Sequence, residues 1–276
     1  ENCFCLDDSD IVINGIKFSV GNVINAKHHI YTRHHYSHAG AAFYQSPFDE
    51  SIVISFDGGG NDGTFSIYHA NRQYGLMEIK QINMDLGFPY MVIGHYLNDI
   101  NFQPLHEGHL VYPGKMMGLV SYGVVKKEWL EPFEEFCHEA NLRGFYNYQP
   151  YIDKLSERTG IVFDVKNRLK GQEAYDVAAT LQKAWENTFL NYVMPTLFAP
   201  EYNQLPVCMA GGCALNILLN TRIKSEFDKT VFVGPCPNDT GLALGMILNH
   251  IKPIQPIDVT YAGLPLLAVS YTHLTL

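Results

Sequence analysis

The sequence lacks several features that would point to particular classes of protein. No apolar stretch in its 276 residues approaches the roughly 20 residues of a membrane-spanning helix, so we expect no membrane partner. Cysteine is scarce, with six scattered residues, which favours reduced thiols and a cytoplasmic location over a disulfide framework. The chain has no run of basic residues and a formal net charge of −9, so a nucleic acid is not an expected partner.

The sequence does contain the composition and the pattern of a packed α/β domain. Hydrophobic residues make up 47% of the chain, which is enough for a substantial core. The run Ser51–Asp57 ends at three glycines and predicts a buried strand, and Thr64–Tyr68 and Leu76–Ile82 continue it as a meander. Beyond residue 200, strands alternate with glycine turns and helices, which is typical of mixed α/β folds. The later predicted elements are the helices Lys126–Ala140 and Gln172–Val193 (ending before Pro195), the strands Pro206–Ala210 and Val231–Gly234, and the helices Ala214–Lys224 and Thr240–His250.

Two histidines, His34 and His38, lie four residues apart in a histidine-rich segment. On a helix they would share one face, where two imidazoles can bind a divalent transition metal. A polar helix start with solvated histidines explains the same residues without a metal. Taken alone, this simpler interpretation is favoured.

Three glycine-containing segments could bring backbone amides close to a ligand. Asp57 ends the first predicted strand, and the glycines that follow it also fit an ordinary hairpin turn. The segment 210–216, AGGCALN, follows a strand and opens a helix, whose N-terminus would favour phosphate. The segment 114–118, GKMMG, lacks the Walker spacing, so its lysine could contact a phosphate or simply be exposed.

The last candidate is Asp239, which lies just before the final predicted helix in the segment NDTGLALG. The simplest interpretation of an aspartate at that place is a helix N-cap. Each of these five signals is modest alone, whereas their order along one chain is specific.

The ordered set of motifs resembles one family. The chain reads HHYSHAGAAFYQSPF, SFDGGG, GKMMGLVSYG, AGGCALN and NDTGLALG. It is similar to the O-carbamoyltransferases of nodulation-factor and antibiotic biosynthesis (the NodU/CmcH type). In that family we expect H-H-x-x-H-A-x-x-A-F, D-G-x-G, G-K-x-M-G-L-A-x-Y-G, G-G-x-A-L-N and D-x-G-x-A-x-G. The resemblance runs from about His34 to about Gly245.

The resemblance implies an actin- and sugar-kinase-like ATPase fold, with a nucleotide cleft between two ribonuclease-H-like halves. It implies a bound divalent transition metal, for which two imidazoles and two carboxylates suit Fe²⁺, with Mg²⁺ as an additional candidate beside ATP. The implied metal ligands are His34, His38, Asp57 and Asp239, of which the first three are also implied in catalysis together with Lys115. The implied ATP-binding residues are Gly58, Gly59, Gly60, Gly118, Gly211, Gly212 and Asn216.

The implied reaction takes a carbamoyl group from carbamoyl phosphate and activates it with ATP as carbamoyl-adenylate, releasing pyrophosphate. The carbamoyl group then passes to a hydroxyl of a small-molecule or glycan acceptor, and the adenylate provides a good leaving group. One alternative is a tRNA-modifying enzyme of the threonylcarbamoyl-adenosine type, which the acidic charge disfavours. Another is a non-catalytic nucleotide-binding module.

The expected domain organisation is an incomplete one. Residues 1–254 are expected to form the N-terminal carbamoyltransferase domain, without the family's first strand and without the C-terminal domain that follows in the family. Residues 255–276 do not continue the pattern and are expected to be a non-native tail. The chain also lacks an initiator methionine, so we expect a fragment whose activity alone is in doubt.

Overall fold

The computed structural model describes residues 30–100, 112–139 and 148–259 in full, together with the backbone of residues 3–6, 10–13, 16–19 and 28–29. The strands are β1 (Cys3–Leu6), β2 (Asp10–Ile13), β3 (Ile16–Ser19), β4 (His28–Tyr31), β5 (Glu50–Gly60), β6 (Gly63–Asn71), β7 (Gly75–Gln81), β8 (Val207–Ala210) and β9 (Val231–Val233). The α-helices are α1 (His34–Gln45), α2 (Gly87–Gly94), α3 (Tyr112–Val120), α4 (Lys127–Glu139), α5 (Gln149–Thr159), α6 (Gly171–Leu197), α7 (Ile217–Glu226) and α8 (Leu242–Ile251).

Within the described part of the chain, strands β5 to β9 form one mixed sheet in the order β7-β6-β5-β8-β9. The hairpins β5–β6 and β6–β7 are antiparallel, whereas β8 runs parallel to both β5 and β9. β5 therefore joins the antiparallel half of the sheet to the parallel half. The carboxyl ends of parallel strands are where ligands bind in open α/β sheets, so the end of β5 is a favoured place for a site.

The two faces of the sheet are covered by different helices. Ile54 and Phe56 of β5 belong to the core cluster that contains α6, where the Phe56 ring lies 4.8 Å from that of Phe189. Val53, on the opposite face of β5, packs in the cluster that contains α1 and α8. Burial on both faces explains the near-continuous apolar run in β5, and this layered arrangement confirms the predicted α/β class.

Helices α1 and α8 lie in close contact on their shared face of the sheet. A methyl group on Gly245 of α8 would overlap the backbone carbonyl oxygen of Ser37 in α1. Further along, Asn249 Nδ2 donates a hydrogen bond to the Tyr36 carbonyl oxygen at 2.7 Å. The helix that carries the histidine pair is therefore tied to the helix that follows Asp239.

The helix boundaries predicted from the sequence differ from the structure at the end of α6 and at the starts of α7 and α8. α6 does not end before Pro195 but continues to Leu197, because a proline near a helix end removes only one hydrogen bond while Leu197 is buried in the core. The two helices predicted after residue 210 are each preceded by a separate 3₁₀ turn, at Gly212–Leu215 and Asp239–Gly241. Between the first turn and α7, Asn216 has an extended backbone that interrupts the helix.

The remaining general expectations concern membranes, cysteines and the chain end. None of the helices in the described residues combines the length and apolar character needed to cross a bilayer. Cys137, Cys208, Cys213 and Cys236 are free thiols. Residues 260–276, which hold most of the expected tail, lie outside the described residues.

Candidate metal and nucleotide site

Four potential metal ligands from three parts of the fold converge at the carboxyl end of β5. His34 and His38 lie on α1, Asp57 lies near the end of β5, and Asp239 begins the 3₁₀ turn before α8. His38 Nε2 lies 3.0 Å from His34 Nε2, 3.3 Å from Asp57 Oδ2 and 3.3 Å from Asp239 Oδ1. His34 Nε2 lies 3.5 Å from Asp239 Oδ1, and the four ligand atoms are all within 4.8 Å of one another. The structure thus brings together all four residues that the sequence predicts as ligands.

The spacing and chemistry of this cluster fit a transition-metal ion. Ligand atoms at about 2.1 Å from a common ion, at angles of about 90–109°, are about 3.0–3.4 Å apart. Four of the six separations between ligand atoms are 3.0 to 3.5 Å, close to these values, and the other two are within 4.8 Å. Two imidazole nitrogens and two carboxylate oxygens suit Fe²⁺ and its first-row neighbours. Occupancy by a metal, and which metal, stay predictions.

Burial contradicts the simpler interpretations of these side chains. His34 and His38 are only 7% and 1% exposed, so the interpretation as solvated histidines at a polar helix start is wrong. Asp239 does not cap α8, whose N-cap residue is Gly241, and its carboxylate instead faces the two imidazoles. The Asp239 side chain is 70% exposed, which leaves one side of the cluster open to a ligand.

Asp57 is held as an anion by two backbone amides. Its Oδ1 accepts the Gly58 N–H and its Oδ2 accepts the Gly212 N–H, both at 2.6 Å. Burial alone would raise the pKa of Asp57, but His38 and these two amides outweigh burial and lower it to about 2. Asp57 is therefore ionised and fixed in place before any metal binds.

The two histidines differ in their affinity for a proton. Burial, and then the neighbouring His38, lower the pKa of His34. Burial also opposes a charge on His38, but its contacts with Asp239 and Asp57 outweigh burial and raise its pKa. The metal-free cluster consequently favours a proton on His38, and a metal ion would displace that proton. His38 Nδ1 is buried without a hydrogen-bond partner among the described residues, so no such bond there fixes the tautomer.

His35, which the predicted scheme does not require, has a structural role. It is fully buried, with Nδ1 at 2.8 Å from Ser55 Oγ and Nε2 at 3.0 Å from the Gly63 carbonyl oxygen. Burial lowers its pKa to about 4, so the ring is neutral near pH 7. It ties α1 to the β5–β6 hairpin without entering the ligand cluster.

The predicted ATP-binding glycines divide into three groups. Gly60 and Gly211 have structural reasons to be glycine, because a methyl group would overlap the His34 imidazole in one case and the Phe56 carbonyl oxygen in the other. Gly211 also has φ at +85°, and its N–H donates to the Pro237 carbonyl oxygen at 2.8 Å. The backbone N–H of Gly212 donates a hydrogen bond to Asp57 Oδ2. No heavy atom lies within 4 Å of a methyl group placed on Gly58, Gly59 or Gly118, so these three border open space that a ligand could enter.

Asn216 is embedded in a buried network. Its Oδ1 caps α7 by accepting the Leu219 N–H at 3.0 Å, and its side-chain amide exchanges hydrogen bonds of 3.1 Å with Gln182. Gln182 in turn accepts the Tyr90 hydroxyl proton. The structure shows these internal roles for Asn216, and its predicted contact with ATP stays a prediction.

Lys115 and Gly118 lie on exposed positions of α3. The Lys115 ammonium donates to the Ile100 carbonyl oxygen at 3.3 Å. Neither residue is part of the four-ligand cluster. Their predicted position in the nucleotide cleft, and the catalytic role of Lys115, stay predictions.

Asp85 is a nearby carboxylate that the motif analysis missed. A methyl group on Gly87 would lie 3.4 Å from Asp85 Oδ1 and 3.7 Å from both Cys213 Sγ and the Gly58 Cα atom. Asp85 accepts the Phe88 N–H at 3.0 Å at the start of α2. Burial raises its pKa to about 6, the amides of Phe88 and Gly87 oppose the shift, and Asp57 adds to it. The available sequence signal was an aspartate three residues before a helical amide.

Removing the charge of Asp85 should stabilise the fold above pH 6. Because its folded pKa lies above the value of about 3.9 in unfolded chains, Asp85 costs no stability at low pH. It destabilises the fold as pH rises from about 4 to about 6, and the cost is constant at higher pH. Asp85→Asn keeps an oxygen for the Phe88 amide and should gain about 2 kcal/mol at pH 7.5, falling towards zero near pH 4. Urea unfolding in EDTA at several pH values measures this difference. The exposed Asp153→Asn variant is the control, and a gain that does not depend on pH would contradict the prediction.

Comparison with known protein families shows to which family the chain belongs. The family described as carbamoyltransferase N-terminus matches residues 12–248. The chain belongs to this family. The predicted family is therefore confirmed, and residues 12–248 of this carbamoyltransferase N-terminal domain contain all four candidate metal ligands.

Individual relatives agree with this assignment. The domain is 30% identical over 223 residues to the nodulation protein NolO of Bradyrhizobium diazoefficiens, covering 78% of the chain and 37% of NolO. It is 31% identical over 252 residues to protein MJ1051 of Methanocaldococcus jannaschii, covering 88% of the chain and 45% of that protein. The chain thus spans less than half the length of these curated relatives.

A solved structure shows the same fold. The crystal structure of HypF from T. kodakarensis superposes with a TM-score of 0.53 at 12% sequence identity, covering 83% of this chain and 38% of that one. At this identity the likeness concerns the fold alone. It agrees with the predicted α/β class of the carbamoyltransferase N-terminal domain.

Proposed function

We propose that the chain provides the metal and nucleotide site of an ATP-dependent O-carbamoyltransferase. Hydrolysis of carbamoyl phosphate would release phosphate and carbamate, and the carbamate oxygen would attack the α-phosphate of ATP to give carbamoyl-adenylate and pyrophosphate. A hydroxyl of a small-molecule or glycan acceptor would then take the carbamoyl group and release AMP. The observation that carries the proposal is the convergence of His34, His38, Asp57 and Asp239 within 4.8 Å in a domain of the carbamoyltransferase family. The matched region covers 37% and 45% of these two relatives, so the complete reaction is part of the proposal.

The proposed ligands have distinct parts in holding a divalent transition metal, for which Fe²⁺ is the first candidate. His34 and His38 present buried nitrogens from one face of α1, and Asp57 provides a negative charge held by two backbone amides. Asp239 would be the fourth ligand, on the solvent-exposed side of the cluster, where phosphate oxygens could reach the ion. A metal bound there would stabilise negative charge on phosphate and carbonyl oxygens.

The nucleotide would lie along the glycine turns beside the metal ligands. Gly58 and Gly59 border open space next to Asp57, so a ligand could approach the backbone there. The Gly211–Gly212 turn connects β8 to the 3₁₀ helix before α7, and hydrogen bonds link it to Asp57 and to Pro237. The adenylate formed from ATP provides the leaving group that a hydroxyl nucleophile needs.

A binding experiment tests the proposed site. ATP titrated into the chain loaded with Co²⁺, as a redox-stable substitute for Fe²⁺, should bind at least about tenfold more tightly than to the metal-free chain. Asp239→Ala should remove that difference, whereas Glu201→Ala, an exposed acid elsewhere, should keep it. Equal ATP affinity with and without metal would contradict the site.

A turnover experiment tests the proposed reaction. Pyrophosphate release from ATP should require carbamoyl phosphate and metal together, and the full-length form of the protein is the appropriate sample for this assay. Metal-dependent ATP binding without any pyrophosphate release from the full-length protein would favour a non-catalytic nucleotide-binding module instead.

A further inference from the structure

The first turn of α1, which carries His34, is not capped by its own residues. The N-cap residue Arg33 makes no capping hydrogen bond, and its guanidinium pairs with Glu78 at 2.6 Å. No acidic residue lies in the first turn. The first amides of a helix have no partners inside it, so partners for this buried turn come from elsewhere.

The partners come from the two-residue turn between β5 and β6. Asn61 Oδ1 accepts the His34 N–H at 2.9 Å. Asp62 Oδ1 and Oδ2 accept the His35 N–H at 2.9 and 3.1 Å, and Oδ2 is 3.4 Å from the Tyr36 nitrogen. Three consecutive backbone amides of α1 therefore donate to side chains that lie 26 or 27 residues later in the sequence. Asp62 accepts two of these three hydrogen bonds.

The same hairpin carries the metal-ligand candidate Asp57. Gly60, one residue before the turn, lies against the His34 imidazole so closely that no side chain fits. On the other side of the turn, the Gly63 carbonyl oxygen is 3.0 Å from His35 Nε2. The hairpin thus contacts the first turn of α1 on both sides of Asp62, which sets the direction of the helix relative to Asp57.

We propose that Asp62 is a positioning residue for the metal site: by holding the His35 and Tyr36 amides it aims the His34 and His38 imidazoles at Asp57. This inference rests on the proposed metal site. Charge supports it as well as geometry, because a divalent cation beside His34 would face the partly positive N-terminus of α1. The Asp62 carboxylate lies on that terminus and offsets the unfavourable interaction. Residues that orient metal ligands without binding the ion commonly raise metal affinity by roughly 10- to 100-fold.

The experiment distinguishes orientation of the His34 and His38 imidazoles by Asp62 from simple stabilisation of α1. Asp62→Ala should weaken Co²⁺ binding by about 10- to 100-fold and change the visible absorption spectrum of the bound ion. Asp62→Asn keeps an acceptor oxygen for the His35 amide and should recover much of the affinity and the original spectrum. Asp49→Ala removes a carboxylate that is 98% exposed and should change neither. Lower stability of Asp62→Ala with unchanged Co²⁺ affinity and spectrum would overturn the proposal.

A second measurement needs no metal and keeps this inference distinct from the metal site itself. In the metal-free chain, imidazole ¹⁵N–¹H spectra of Asp62→Ala should show altered His34 and His38 signals. The 3.3 Å contact of His38 with Asp57 and the packing of His34 against Gly60 both depend on the position of α1 relative to the hairpin. Unchanged signals would overturn the positioning role even if the metal site is real. Altered signals would support it even if wild-type chain binds no Co²⁺, an outcome that would reject the proposed metal site.

Discussion

The His34→Ala/His38→Ala variant is expected to lose stoichiometric metal binding, whereas the unaltered chain should hold about one Fe²⁺ or Co²⁺ ion after anaerobic reconstitution. The variant removes both nitrogen donors of the cluster and leaves only Asp57 and Asp239, which lie on segments far apart in sequence. Because removal of an outer-shell partner alone costs about 10- to 100-fold, the loss of two ligands should exceed 100-fold, roughly. Metal analysis and equilibrium dialysis measure the difference.

Two comparisons make the result interpretable. His250→Ala removes an exposed imidazole and should bind metal like the unaltered chain. Circular dichroism of the double variant checks that α1 is still folded. Full metal content in a folded double variant would show that the four-residue cluster is not the metal site. Absence of metal from the unaltered chain as well would reject the proposed metal site.

Gly211→Ala is expected to destabilise the fold by about 3 kcal/mol or more. The added methyl group would overlap the carbonyl oxygen of Phe56, a backbone atom inside the sheet that cannot move without breaking the β5–β8 pairing. The backbone at position 211 also has φ at +85°, where a side chain is strained. Chemical unfolding of the variant measures the combined cost.

Gly160→Ala is the matched control for this prediction. Gly160 has φ at +75° at the end of α5, but nothing lies within 4 Å of its methyl position. Its substitution should therefore cost only about 1 kcal/mol, from backbone strain alone. If the two variants lose equal stability, the contact with Phe56 does not constrain position 211. A surviving Gly211→Ala protein should also bind metal more weakly, because the Gly212 amide that holds Asp57 would be displaced.

Local rules predict the positions of three of the four cluster residues, whereas the family resemblance implies that all four are metal ligands. A spacing of four residues places His34 and His38 on one helical face, and a carboxylate after a buried strand reaches the end of a sheet. The order of the five motifs identified the family, and the family implied Asp239. No local rule linked Asp239 to the histidines, since the pattern alone indicated an N-cap.

The contacts that support the cluster could not be predicted in the same way. The bonds from Asn61 and Asp62 to α1 join residues about 27 positions apart, and the residues themselves look like any polar hairpin turn. The raised pKa of Asp85 arises mainly from burial, which only the packed structure reveals. The predicted nucleotide contact of Asn216 stays a prediction, and its motif does not indicate that the side chain caps α7 and bonds Gln182.

The close contact between α1 and α8 gives the metal site a thermodynamic consequence for the whole domain. The packing of Gly245 on Ser37 already holds the segment around His34 next to the segment around Asp239. A metal ion bound by both residues would be a second link between these two segments, which are separated by most of the chain. An ion that binds only the folded state stabilises it by an amount that grows with the free metal concentration, about 4 kcal/mol at a thousandfold excess over Kd. The supply of metal would then govern how long the domain survives unfolding and proteolysis, in addition to its chemistry.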